Sequence, residues 1–194
     1  MGRDIQLLER AEQGVGGARI YFWSSVWVTL GNGQKPEDAL LDLSVNHIIR
    51  PTGGAAVLHG HDLTIGIAMP LADLRCSGRE VKKAFLGLTQ RIIAALNDCG
   101  VPAILGRDLA GRDQLASPYC FGMKSDYDVL HAETGEKICG CAMKVTRNAA
   151  LLQASVPISE PIVDPAKFLR NYEPSLVLPL EPQSFARAFR QALE

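Results

Sequence analysis

A chain of 194 residues with 47% hydrophobic and 21% charged residues has the length and composition of one compact globular domain, which excludes disordered, collagen-like and low-complexity architectures. Twenty basic against 21 acidic residues leave a formal charge of −1, which argues against nucleic acid or an anionic membrane as the main partner. No run approaches the roughly 20 apolar residues of a membrane span, and Asp4 and Glu9 interrupt the N-terminus before any apolar signal core, so a cytoplasmic single domain over residues 1–194 is expected.

Residues 5–11 read as a short helix ended by Gly14, Gly16 and Gly17. Residues 19–23 and 26–30 are rich in aromatic and β-branched side chains, as strands are. Beyond Gly31-Asn32-Gly33, residues 36–43 suggest a second short helix with Pro36 in its first turn. Residues 45–49 read as a strand running into Arg50-Pro51-Thr52-Gly53-Gly54. Residues 57–59 and 63–68 then read as a hairpin joined through Gly60-His61-Asp62. The strongest helical pattern covers residues 79–97, where Ala84, Leu88, Ile92 and Ala95 recur at helical spacing before Cys99-Gly100 and Pro102 end it. Residues 101–105 suggest a strand and residues 106–118 a polar loop. Residues 127–131 and 137–145 look like paired strands about a turn at 133–136, with a further strand over 149–156. Residues 183–193 form a last helix with Phe185, Ala188, Phe189 and Ala192 on one face. Strands in hairpin groups with helices between them predict a mixed α/β (α+β) domain, its sheet largely antiparallel and flanked by helices.

Five cysteines (Cys76, Cys99, Cys120, Cys139, Cys141) are an odd number in a chain that needs no staples, so they read as reduced thiols. Neither CxxC nor HxxxH spacing occurs, and Cys139-Gly140-Cys141 has no second ligand pair, so no metal site is expected. Three features carry candidate chemistry. Gly53-Gly54 sits between two strands, either as a tight turn or as a loop whose N–H groups approach a ligand beside the charge of Arg50. Cys120, at a loop edge, is either a buried inert thiol or a nucleophile able to take an acyl group from a thioester. Lys137, just past a turn, is either solvated or turned into a pocket, where its ammonium would hold an acyl carbonyl or lower a thiol's pKa.

Read together, these segments have a recognisable order. Arg50-Pro51-Thr52-Gly53-Gly54 through His59, followed by Leu63-Thr64, resembles the signature of the lipoate-protein ligase and octanoyltransferase family. Cys120-Phe121, Ser125-x-Tyr127-Asp128 and Gly135-x-Lys137-Ile138-x-Gly140-x-Ala142 match it again in the same order, and Asp4…Leu7-Leu8, Tyr21-x-Trp23 and Gly31-x-x-Gln34 are weaker echoes. The resemblance implies a fold similar to the biotin ligase catalytic core. It further implies that Arg50, Thr52, Gly53, Gly54, Ala55, His59, Gly140 and Ala142 bind a lipoyl or octanoyl chain. Cys120 and Lys137 would be the catalytic pair, because the family branch with a Cys-Phe motif ahead of the lysine segment fits this chain. No cysteine follows Cys141, as a second branch requires, and the residues after Ile158 are too few for the accessory domain of ATP-dependent ligases.

That branch implies octanoyl transfer from acyl carrier protein or an octanoylated glycine cleavage H protein, through a Cys120 thioester, to a lysine of a lipoyl domain or H protein. Lys137 would stabilise the developing negative charge, and no cofactor would be needed because the thioester arrives activated. His59 is read either as a structural hydrogen-bond partner or as an aid to proton transfer. The chain departs from the pattern at Ile49, where the family has a first arginine, at Ala55, and at Gln153-Ala154-Ser155, where Gln-His-Gly is common. The first two losses count against nucleotide use, and the third takes a polar group from the pocket wall. An ATP-dependent ligase with a separate accessory subunit, or a non-catalytic acyl- or lipoyl-domain-binding homologue, are the alternative readings.

Overall fold

The computed structural model describes residues 1–77, 80–108, 121 and 127–194. Among these residues the strands are β1 (Gly17–Tyr21), β2 (Trp27–Leu30), β3 (His47–Ile49), β4 (Val57–His59), β5 (Asp62–Pro70), β6 (Ala103–Leu105), β7 (Val129–His131), β8 (Lys137–Val145) and β9 (Ala149–Pro157). The helices are α1 (Gly2–Glu12), α2 (Pro36–Ala39), α3 (Val81–Asp98) and α4 (Pro182–Leu193). A six-stranded sheet runs β1-β5-β9-β8-β7-β6 and a three-stranded sheet runs β3-β2-β4. Among the described strands every pairing is antiparallel except β2 with β3, so the mixed, largely antiparallel expectation holds.

Period-two alternation in the central strands divides the molecule. Leu63, Ile65 and Ile67 of β5 and Ala150, Leu152, Ala154 and Val156 of β9 face one way, into a core closed by α3 and α4. From α3 come Ala84, Leu88, Ile92 and Ala95, and from α4 the stacked rings of Phe185 and Phe189, 5.7 Å apart. The opposite face receives α1, whose Leu8 and Ala11 pack on Ala68, Ala149 and Leu151. Asp4 lies on the same buried stripe of that helix, one turn before Leu8. The small sheet gathers a second core of Val28, Leu30, Leu40, Leu58 and Phe121.

Two local expectations fail for tertiary reasons. Residues 57–59 and 63–68 do not form a hairpin: β4 pairs with β2, Val28 opposite Leu58, whereas β5 lies between β1 and β9 in the large sheet. The corner between them is closed by Asp62, whose carboxylate accepts the Gly60 N–H and meets the His59 ring. The helix expected over 36–43 stops at Ala39, because Leu40 turns extended, enters the second core and bridges to Leu169. No helix among the described residues is long and apolar enough to cross a membrane.

The small sheet is fitted to the chain after β3 through Gly31. A Cβ there would lie 1.8 Å from the Gly54 carbonyl oxygen, whereas one on Gly53 meets open space. Gly31→Ala is therefore expected to cost about 1–3 kcal/mol of stability in chemical denaturation, and Gly53→Ala less than about 0.5 kcal/mol. Equal effects of the two would contradict this packing.

Candidate functional site

Strand register on the α1-facing side sets out two rows of side chains. Tyr21, Thr64, Ser155 and Gly140 lie opposite one another across β1, β5, β9 and β8. Arg19, Gly66, Gln153 and Ala142 form the next row. Facing them, Thr29, Val57, His59 and Arg50 of the small-sheet region close a cleft. Gly66 leaves room for α1: a Cβ would sit 2.8 Å from Oδ1 of Asp4. That carboxylate, fully buried, accepts from Arg19 Nη1 (2.9 Å), the Tyr21 hydroxyl (3.0 Å) and Gln153 Nε2 (2.6 Å). Burial first, and then the adjacent Asp4, push the Tyr21 hydroxyl far above its usual range, so it stays a donor.

Arg50 is directed inward. Its Nε donates to Thr52 Oγ1 (3.1 Å), Nη1 to the Thr29 carbonyl (3.0 Å), and Nη2 to the carbonyls of Gly53 and Ala55 (2.7 Å each). The charge expected to meet a ligand anion instead fixes the glycine turn, and the planar fork suits several carbonyls at once. Thr52 passes the contact on, donating 2.8 Å to Gln153 Oε1. Of the residues implied by the resemblance, Arg50, His59, Gly140 and Ala142 line the cleft. Thr52, Gly53, Gly54 and Ala55 stand behind it, held by Arg50 or packed against it.

His59 is a wall residue with both ring nitrogens engaged: Nδ1 lies 2.8 Å from Asp62 Oδ2 and Nε2 2.9 Å from Thr29 Oγ1. Trp23 stacks on it at 4.6 Å and donates to Thr64 Oγ1. Asp62 also accepts from Thr64 (2.9 Å) and Ser155 (2.7 Å). Burial opposes ionisation of Asp62, yet His59 and the hydrogen bonds from His59, Ser155 and Thr64 outweigh it and hold the carboxyl below its usual range.

Lys137 reaches the same side of the sheet through an irregularity. The β7–β8 register pairs Val129 with Cys139 and Leu130 with Lys137, so one extra residue on β8 puts Lys137 on the face of Gly140, opposite to Cys139. Its ammonium, 5% exposed as a residue, pairs with Asp128 Oδ1 at 2.9 Å and lies 5.9 Å from the Phe121 ring centroid. Cys120, the expected nucleophile, lies outside the described residues. Cys141 does line the cleft, its sulfur 3.6 Å from that of Cys139. That contact first, and then desolvation, raise the Cys141 thiol well above its usual range, which suppresses the thiolate a nucleophile needs.

Thr29, Gln153 and Ser155 also line the cleft, and the carboxylates of Asp4, Asp62 and Asp128 hold Gln153, His59 and Lys137 in place, although none of the six was expected as a site residue. Asp4 and Asp128 stood inside the quoted motifs, whereas Thr29 gave no signal beyond a hydroxyl in an apolar strand.

The depressed Asp62 carboxyl fixes a sign for acid stability. Its contribution is present above the unfolded-state pKa near 4 and is lost as pH falls through the lower folded value. Asp62→Asn should therefore lower stability at pH 7 and flatten its decline below about pH 4 in denaturation series. Parallel wild-type and variant profiles would contradict it.

The family model of the lipoyl protein ligase A/B catalytic domain matches residues 1–175. The chain is 29% identical over 151 residues to an Octanoyltransferase LipM of Exiguobacterium sp., a match covering 73% of this chain and 54% of that protein. It spans less than two thirds of the length of the first curated relatives it matches. Among solved structures, a lipoate-protein ligase A bound with ATP superposes with a TM-score of 0.73 at 18% identity, over 98% of this chain and 76% of that one. The bi-partite lipoate protein ligase of Thermoplasma acidophilum gives 0.70 at 15% identity, over 99% and 78%. At such identities the structural likeness is one of fold. With the family match covering most of its length, the chain belongs to the lipoyl protein ligase A/B catalytic domain family.

Proposed function

We propose that this domain is an octanoyltransferase of protein lipoylation. It moves an octanoyl group from a carrier-protein thioester to a lysine of a lipoyl domain or glycine cleavage H protein. The observation that carries the reading is Lys137, turned onto the cleft side of β8, fixed by Asp128 and set beside Phe121, the residue that follows Cys120 in the chain. Relatives that bear the octanoyltransferase name support the acyl class.

The transfer takes two steps. The Cys120 sulfur attacks the carbonyl of the incoming thioester, its carbon–sulfur bond forms, and the bond to the carrier breaks. The carrier leaves as a thiol, taking the proton that Cys120 gives up. The amine of the acceptor lysine then attacks the enzyme thioester, the amide forms, and Cys120 recovers a proton from that amine. Lys137 holds the carbonyl oxygen in both steps, where negative charge develops. The cleft between Gly140, Ala142 and the small sheet takes the acyl chain. The donor is octanoyl acyl carrier protein or an octanoylated H protein, and no cofactor enters because the thioester already carries the activation.

Intact-mass spectrometry after mixing with octanoyl acyl carrier protein, without ATP, tests this. One octanoyl group is expected on the wild type and on Cys139→Ala, none on Cys120→Ala, and the group should pass to added H protein. Lys137→Ala should lower the acylation rate by about 10²–10³-fold, the scale for losing one oxyanion donor. An adduct that persists in Cys120→Ala would overturn the mechanism, and modification of H protein only with ATP and octanoate would identify a ligase instead.

A further inference from the structure

The polar contacts of the cleft join into one path. From Arg50, Nε donates to Thr52 Oγ1, the Thr52 hydroxyl to Gln153 Oε1, and Gln153 Nε2 to the buried carboxylate of Asp4. On the other side, Arg50 Nη1 lies 3.0 Å from the Thr29 carbonyl and 3.4 Å from its hydroxyl, which sits 2.9 Å from His59 Nε2. His59 Nδ1 then meets the carboxylate of Asp62 at 2.8 Å. A cation stands in the middle and a carboxylate at each end. An ionised carboxylate can only accept and a guanidinium can only donate, so Thr52 and Gln153 donate away from Arg50 towards Asp4 and His59 Nδ1 donates to Asp62, while the Thr29 hydroxyl can accept from Arg50 and still has a proton for Nε2 of the ring. Aligned in this way, the bonds polarise one another in a low-dielectric interior.

Thr29 is the element at which the two arms of this path meet. It lies in β2, is 2% exposed, and is the point at which Arg50 of the glycine turn meets the His59 corner. We propose that Thr29 is a positioning residue: its hydroxyl accepts an N–H of Arg50 and donates to Nε2 of His59, joining the two walls of the cleft and holding the His59 ring with Nδ1 towards Asp62. His59 in this state presents no unoccupied basic nitrogen to the cleft, so it shapes the site rather than moving protons. Its contribution to catalysis, which rests on the acyl-transfer reading, is to hold the acyl chain in place.

The test compares Thr29→Val, which keeps shape and removes the hydroxyl, with Thr29→Ser, which keeps the hydroxyl and loses a methyl group. Nitrogen-15 NMR of the His59 ring, assigned against His59→Gln, should give a protonated Nδ1 and an unprotonated, hydrogen-bonded Nε2 in the wild type and in Thr29→Ser. In Thr29→Val the Nε2 signal should shift to the position of an unbonded nitrogen. In octanoyl transfer, Thr29→Val should raise KM for the octanoyl carrier protein about tenfold, with kcat within about twofold, and Thr29→Ser should stay close to the wild type. A wild-type ring protonated on Nε2 or on both nitrogens, an unmoved Nε2 signal in Thr29→Val, or a Thr29→Ser variant that matches Thr29→Val would overturn the proposal. Should the wild type transfer no octanoyl group, the acyl-transfer reading falls while the ring nitrogens still decide the role of Thr29.

Discussion

The buried guanidinium of Arg50 is the interaction on which the site depends. Taking such a charge out of water costs several kcal/mol unless its donors are met, and here they are met by the side chain of Thr52 and the carbonyls of Thr29, Gly53 and Ala55. Those acceptors come from β2 and from the turn after β3, stretches that pack only if the turn takes one shape. The charge thus selects the geometry of the cleft wall. The same engagement explains why Arg50, although it lines the cleft, turns its donors to the chain rather than to a ligand anion.

The large sheet supplies the complementary wall by a simple device. In Leu63-Thr64-Ile65-Gly66-Ile67, alternate residues serve opposite faces: the apolar ones enter the α3/α4 core, while Thr64 and Gly66 serve the cleft and α1. The neighbouring strand repeats the device with Leu152, Ala154 and Val156 on one side and Gln153 and Ser155 on the other. Buried polar side chains on such a face cost stability unless paired, and the pairing by Asp4 and Asp62 ties α1 and the β4–β5 corner to the site. Ser155, in a segment read as stripped of a polar group, still delivers a hydroxyl to the wall.

Helices α3 and α4, strands β8 and β9 and the antiparallel character were legible because their apolar spacing is local and strong. The β4–β5 hairpin was misread because the sequence between the strands resembles a turn, and nothing local reveals that each strand finds a better partner elsewhere, Trp27–Thr29 for one and β1 and β9 for the other. The motif residues Arg50, His59, Gly140 and Ala142 were legible as a group, and the structure gathers them on one cleft. Their roles were less so: the direction of the Arg50 fork and the partners of His59 depend on Thr29, Asp62 and Gln153, distant in sequence or without a motif of their own. Lys137 was legible from its segment, but its facing depends on a register slip between β7 and β8 that composition does not encode.

The most direct measurement of the central claim is a crystal structure of the protein after reaction with octanoyl acyl carrier protein. The account predicts continuous density from the Cys120 sulfur through the acyl carbonyl, with Lys137 Nζ at hydrogen-bond distance, and an acyl chain lying in the cleft between Gly140, Ala142 and His59. An unmodified Cys120 with the cleft empty, or an acyl group held at another residue, would contradict it.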